Sequence, residues 1–147
     1  MTTETVSTAK LYVAAALPAT NDVPGFAALT WVQIGELTDI GSVKGRAYNT
    51  STHAPISSAQ QIEKKASYKL GKADMVVGWD GADAGQTLIE TAANSNTAVY
   101  SFKLVKQGGG IRYFTAQVME FIENFGTVDN IVQGKFSLLR QTDTIMA

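Results

Sequence analysis

Apolar and polar residues alternate most clearly toward the C-terminal end of the chain. In "TAVYSFKLV" Tyr100, Phe102 and Leu104 alternate with Val99, Ser101 and Lys103, and in "IRYFTAQVMEFIEN" Phe114, Ala116 and Val118 oppose Tyr113, Thr115 and Gln117. A period of two puts successive side chains on opposite faces of a strand. The "KQGGG" between the two runs supplies the glycines of a tight turn, so the pair predicts a β-hairpin. After Gly126, "NIVQGKFSLLRQ" adds a strand with Val132, Phe136 and Leu138 on one face and Gln133, Lys135 and Ser137 on the other. The face with Phe114, Ala116, Val118, Phe136 and Leu138 suits a core, and the opposite face gathers Thr115, Gln117, Gln133 and Ser137.

Upstream the pattern is looser. The first ten residues are polar and predict an arm, "KLYVAAALPA" a short strand stopped by Pro18, "TNDVPGFAAL" turns, and "TWVQIGELTDI" a second strand that Gly41 closes. In "KKASYKLGKADMVVGW" the apolar phase slips after Gly71, which predicts one strand that bulges or turns a corner there. Residues 41 to 62 show neither period and read as a long loop. Connections of that length inside a compact domain are usually functional or disordered. No internal repeat is found.

The stretch "GWDGADAGQTLIETAANSNT" invites a chemical reading, because its aspartates and glycines resemble a metal loop or a phosphate cradle. A calcium loop counted from Asp80 places Ala82, Ala84 and Thr91 where oxygen ligands belong, and it fails. Neither the P-loop nor the dinucleotide fingerprint is present. A helix over 83–94 fits instead, with Asp83 as N-cap, Gln86 completing a capping box, a stripe of Leu88, Ile89, Ala92 and Ala93, and Asn94 at the end.

Other candidate chemistry also reduces to structure. His53 is the sole histidine and has no Gly-x-Ser-x-Gly elbow to accompany it. Lys106 and Arg112 flank the glycine turn and could hold a phosphate, although such glycines ordinarily serve a hairpin. Asp74, Glu120 and Glu123 lie on strands whose separation a sequence does not give. The absence of cysteine removes thiol chemistry and zinc–thiolate sites. The expectation is a chain with no enzyme activity, no metal and no cofactor.

At 147 residues one domain spanning 1–147 is the default, and the first residues lack a signal-peptide pattern. Only 17% of residues are charged and the net charge is −1, so no global field draws the chain to nucleic acid or to an anionic membrane. So little charge also leaves surface free for neighbours. The pattern gives a mainly β fold. An enzyme with the long loop as lid, or a monomeric β-sandwich that binds a small ligand or glycan on Trp31 or Trp79, are the competing expectations.

The order of "GFAALTWVQIGELTDIGS", a polar loop, "KKASYKLGKADMVV", "DAGQTLIETA" and "VYSFKLV...GG...YFTAQVMEFIENFGTVDNIVQGKFSLL" resembles the tail tube proteins of siphophages, including the lambda-like group. The resemblance spans nearly the whole chain and is carried by order and spacing. It implies a β-sandwich or partial barrel with one short α-helix packed outside, assembling into a hexameric ring with a continuous β-barrel lumen. Stacked rings would form the virion tail tube, made in the host cytoplasm, through which the genome leaves. The implied partners are the chain itself, the tail tip or baseplate and tail terminator proteins, and the tape measure protein and DNA in the lumen, the DNA without sequence-specific binding, and no membrane. The C-terminal immunoglobulin-like domain of some relatives is not expected here. On this reading Tyr48, His53 and Ile56 in the long loop contact other subunits or rings, and Thr115, Gln117, Gln133 and Ser137 face the lumen. About 24 strands spaced at about 4.8 Å make a wall roughly 37 Å across before tilt, wide enough for duplex DNA.

Overall fold

The longest strand is the spine of the molecule. The computed structural model describes residues 3–147. In chain order the elements are β1 (Lys10–Ala14), α1 (Val23–Ala27), β2 (Val32–Ile34), β3 (Leu37–Asp39), β4 (Ala47–His53), β5 (Ile62–Lys69), β6 (Lys72–Gly78), α2 (Ala84–Ala93), β7 (Tyr100–Val105), β8 (Ile111–Asn124), β9 (Gln133–Arg140) and β10 (Ile145–Met146). β8 pairs with β7 over its first half and with β9 over its second. Between Val118 and Glu120 the β8–β9 register shifts. A bulge there bends the strand and resets which alternate residues face inward, so Val118 and Phe121 both reach the core. The antiparallel sheet order is β2-β1-β7-β8-β9-β6-β3, with β10 beside β8 where β9 has left it. The sheet folds around β8, and its halves enclose Leu11, Val13, Met75, Phe102, Phe114 and Phe136.

The two end strands of that order, β2 and β3, are consecutive in the chain and separated only by Gly35 and Glu36. One kinked segment therefore closes the sheet into a partial barrel, its first part bonded to β1 and its second to β6. The kink needs Glu36 at φ +58, a left-handed conformation uncommon outside glycine. Two side chains at the start of α2, its N-cap Asp83 and Gln86, hold it. Asp83 Oδ2 accepts from the N-cap partner Gln86 N at 2.9 Å and from Gly35 N at 3.2 Å. Gln86, 4% exposed, donates through Nε2 to Gly78 O at 2.8 Å and Gly35 O at 3.2 Å, while its Oε1 accepts from Asp80 N at 3.0 Å. The expected capping box is thus corrected. Asp83 caps the helix, but the Gln86 side chain turns to the barrel, where it pairs three partly buried backbone groups at the closure. Close approach of the helix requires Gly85, since a Cβ there would lie 2.4 Å from Gln33 O.

Three further expectations are corrected. The turn segment before Trp31 contains a second helix, α1, capped by Asp22, whose carboxylate accepts from Gly25 N at 2.9 Å. Gly71, at φ +84, does not bend one strand but separates two, β5 and β6, that belong to different sheets. Residues 41–62 are not a loop. They contain β4, which pairs with β5 in a two-stranded hairpin. All residues of both strands are exposed, so no face is buried and no period marks them.

Arg140, at the end of β9, roots this hairpin. Its guanidinium donates to Val43 O at 3.0 Å, to Gly45 O at 2.6 Å and to Leu70 O, gathering both feet of the hairpin onto one buried fork. Arginine suits the place because it offers several fixed donors and stays charged at all accessible pH.

Three outcomes are expected. Gln86→Leu, which fills the same space but leaves the three backbone groups unpaired, should lower unfolding free energy by about 2–4 kcal/mol in urea titrations. Asp83→Asn, which keeps an acceptor, should cost well under 1 kcal/mol as a cap substitution. A Gln86→Leu protein as stable as wild type would remove the clamp from this account. Arg140→Lys should speed amide exchange in β4 and β5 while leaving the middle of β8 protected; uniform loss across both would show that Arg140 supports the whole fold and not the hairpin root.

Candidate functional site

The β4–β5 hairpin stands as its own sheet, off the barrel. Tyr48 and Tyr68 are paired across it with ring centroids 5.4 Å apart, Lys65 lies over Tyr48 and Arg46 over Tyr68. Arg46 also bonds Asp143 at 2.6 Å, tying the base of the hairpin to the segment before β10. Tyr48 sits near the root, His53 pairs with Ile62 at the last rung, and Ile56 lies fully exposed in the turn beyond. The structure thus spreads Tyr48, His53 and Ile56 along one arm and does not gather them at one point. A two-stranded hairpin is marginal alone in water. One that also exposes Tyr48, Ile56, Ile62 and Tyr68 has the character of a contact surface.

A second surface is the outer face of the half-sheet β8-β9-β6-β3. Its rows are Gln117–Leu139–Lys72, Glu120–Ser137–Asp74, Ile122–Lys135–Val76 and Asn124–Gln133–Gly78. Gln117, Gln133 and Ser137 share this face, opposite the core. Lys72, Lys135, Asp74 and Glu120 are exposed on it, so positive and negative charges are interspersed. Ser137 is only 5% exposed and donates to Asp74 Oδ1 at 2.7 Å, with Glu120 Oε1 3.3 Å away. The fold therefore brings together Asp74 and Glu120, which the sequence left apart. It does not leave Thr115 open. Thr115 is 4% exposed, its N and Oγ1 meet Thr142 Oγ1 at 3.2 and 3.0 Å, and its carbonyl accepts from Gln141 N at 2.8 Å. Strand alternation assigns a face, but a segment returning from β9 covers this part of it.

The remaining candidates are engaged within the chain. Trp31 donates its indole N–H to Phe26 O at 3.1 Å and its ring meets Tyr113; Trp79 lies edge-on to Phe121. Both are half-buried, so neither is an open stacking platform. The glycine turn between β7 and β8 does hold an anion, and it is the chain's own Glu4. That carboxylate pairs with Lys106 and accepts from Gly108 N at 2.8 Å. The hydrogen bond from Lys106, then that from Gly108, holds the Glu4 carboxyl below its ordinary pKa. Thr5 adds bonds to Gln107, so this part of the N-terminal arm is docked. Behind it lies a cleft of about 420 Å³ lined by apolar Val6, Ile40, Val43 and Leu104, with Lys44 and Arg112 also on its walls. Sequence reading missed this cleft because it forms between segments far apart in the chain. Among the described residues, no group of three or more His, Cys, Asp or Glu side chains is placed to hold a metal ion.

No family model matches the chain, and no curated protein matches it. Solved structures do. A chain in the six-fold symmetrised baseplate of the anti-feeding prophage superposes with a TM-score of 0.64 at 13% identity, covering 100% of this chain and 97% of that one. A chain in the sheath/tube terminator of an extracellular contractile injection system, in its extended state, gives 0.62 at 9%, covering 100% and 98%. A chain in the sheath–tube complex of such a system gives 0.60 at 10%, covering 95% and 87%. At these identities the likeness is one of fold, and the fold is one that occurs in the baseplate, sheath–tube and terminator assemblies of phage-tail-like particles.

Proposed function

We propose that this chain is a tail tube subunit of a phage tail or a tail-derived particle. Copies close into a hexameric ring, rings stack into a hollow tube, and the tube is the conduit through which the genome leaves. The observation that carries the reading is the β4–β5 hairpin: a rooted, fully exposed β arm with apolar side chains that its own chain does not cover. The fold supports it, being shared end to end with chains of six-fold and sheath–tube assemblies. Laid across a neighbour, the hairpin buries Tyr48, Ile56, Ile62 and Tyr68 and satisfies strand edges that are liabilities in a monomer.

The lumen in this proposal is the outer face of β8-β9-β6-β3. Each subunit then contributes a four-stranded sheet to the wall, the number that gives about 24 strands and a bore that passes duplex DNA in a hexamer. Gln117 and Gln133 meet the contents, and Lys72 and Lys135 are balanced by Asp74 and Glu120. Such a wall releases few counterions from DNA and so grips it weakly. Tail tip or baseplate proteins and a terminator cap the two ends, and the tape measure protein precedes the DNA in the channel.

Electron microscopy of the purified protein should show rings or long hollow tubes; a monomer at every concentration would sink the proposal. Replacing residues 50 to 65 by a short turn should leave a folded protein that does not polymerise, and tubes of normal length from it would show that the hairpin is no assembly element. Because the chain has no cysteine, Gln117→Cys and Gln133→Cys provide unique thiols. On intact tubes both should resist a thiol reagent too large for the bore, while Thr91→Cys on the exposed side of α2 reacts. Equal labelling of all three would place that sheet face outside.

A further inference from the structure

The net charge of −1 conceals a polar molecule. β1 runs antiparallel to β7 and β7 antiparallel to β8, so the start of β1, the end of β7 and the start of β8 lie at one pole. The apolar cleft is at this pole, where Ile40, Val43 and Leu104 lie nearly buried at its base. Lys44 and Arg112 line it, and Lys106, also there, is neutralised by Glu4. The opposite end of that spine is where β8 finishes, 14 residues along the strand and past the bulge between Val118 and Glu120.

That far pole carries the β8–β9 connection, residues 125–132, in which Phe125, Val128 and Ile131 point to solvent at 62%, 97% and 80% exposure. The loop is an ordered turn, with Asn130 N donating to Thr127 O at 3.0 Å and Gly126 at φ +66. Its charges are acidic: Asp129 within it and Glu123 just before it, both exposed. One pole thus presents an apolar knob with negative charge and the other an apolar cleft with positive charge. Within a single chain they belong to opposite ends of β8.

We propose that the β8–β9 loop of one subunit seats in the cleft of a second copy stacked head to tail, with Val128 and Ile131 over Ile40, Val43 and Leu104, and Asp129 toward Lys44 and Arg112. This rests on the tube reading and specifies its axial contact. A knob and a cleft on opposite poles form a heterologous interface, which propagates without closing. The charge arrangement sets polarity, because head-to-tail stacking joins unlike charges whereas head-to-head or tail-to-tail stacking opposes like ones.

Cysteine cross-linking in assembled wild-type-length chains tests it. Tubes made from a mixture of Val128→Cys and Lys44→Cys proteins should form disulfide-linked dimers on mild oxidation, far more than either protein alone or Val128→Cys mixed with Thr91→Cys. Separately, Val128→Asp with Ile131→Asp should leave melting unchanged, since both sites are exposed, and give rings that stack only at about tenfold or more higher concentration. Asp129→Lys should weaken stacking, and Lys44→Glu in the same protein should restore it. If wild type forms tubes but the specific cross-link is absent and the double aspartate protein stacks normally, this contact is overturned and the tube reading stands. Loss of rings together with tubes would also overturn it, by making the loop a lateral contact. A wild-type protein that never leaves the monomer overturns the tube reading itself.

Discussion

The fold depends on closing a sheet whose two ends are joined by one kinked segment. β2 and β3 must leave opposite sides of the barrel and meet at Gly35 and Glu36, and Glu36 must accept a left-handed backbone to do so. Such a kink persists only where surrounding contacts over-determine it. Gln86 supplies them, with one amide serving Gly35, Gly78 and Asp80 while Asp83 ties the same glycine to the helix N-terminus. α2 is therefore a clamp on the barrel seam as well as a cover for the core, to which it adds Ile89 and Ala92.

Arg140 applies the same logic at the other end. A single guanidinium collects carbonyls from Val43, Gly45 and Leu70, so the two feet of the β4–β5 hairpin are held together by the barrel although the arm itself does not pack on it. The root is fixed to the barrel, and the arm beyond it lies exposed. The barrel encloses its own core, while the arm, the outer face of β8-β9-β6-β3 and the apolar loop after β8 lie on the surface. The aspartates of residues 78 to 97 are engaged with nearby backbone: Asp83 accepts from two backbone amides, and Asp80 accepts from Ala82 N at 3.0 Å in a local turn.

Much was legible because it is local. The alternation in 99–105 and 111–118 marks β7 and the first half of β8 with the correct residues inward, since one buried face leaves its signature on every second position. Asp83 as cap and Asn94 as terminator follow from chain groups within a turn of each other. Where local pattern was silent, the reading failed. β4 and β5 have no buried face, so their pairing left no period and β4 read as loop. The phase slip at Gly71 was visible, but a slip within a strand and a break between two sheets look alike in one dimension.

The sequence by itself determined which residues of β7, the first half of β8 and β9 turn inward, where the longer helix begins, and that cysteine and multi-histidine chemistry are absent, because propensity, alternation and composition act at short range. Only the tertiary structure decided what lies over each face and which distant groups meet. Thr115 and Gln117 carry the same alternation signal, yet Gln141 and Thr142 cover one and leave the other half-open. Gln86 reads as a helix-capping residue until the barrel seam arrives beside it, and Glu4 as a loose arm until the turn at Gly108 offers it a donor. These pairings join residues from far apart in the chain, and the burial that makes an unpaired polar group costly does not exist until the sheet has closed around them.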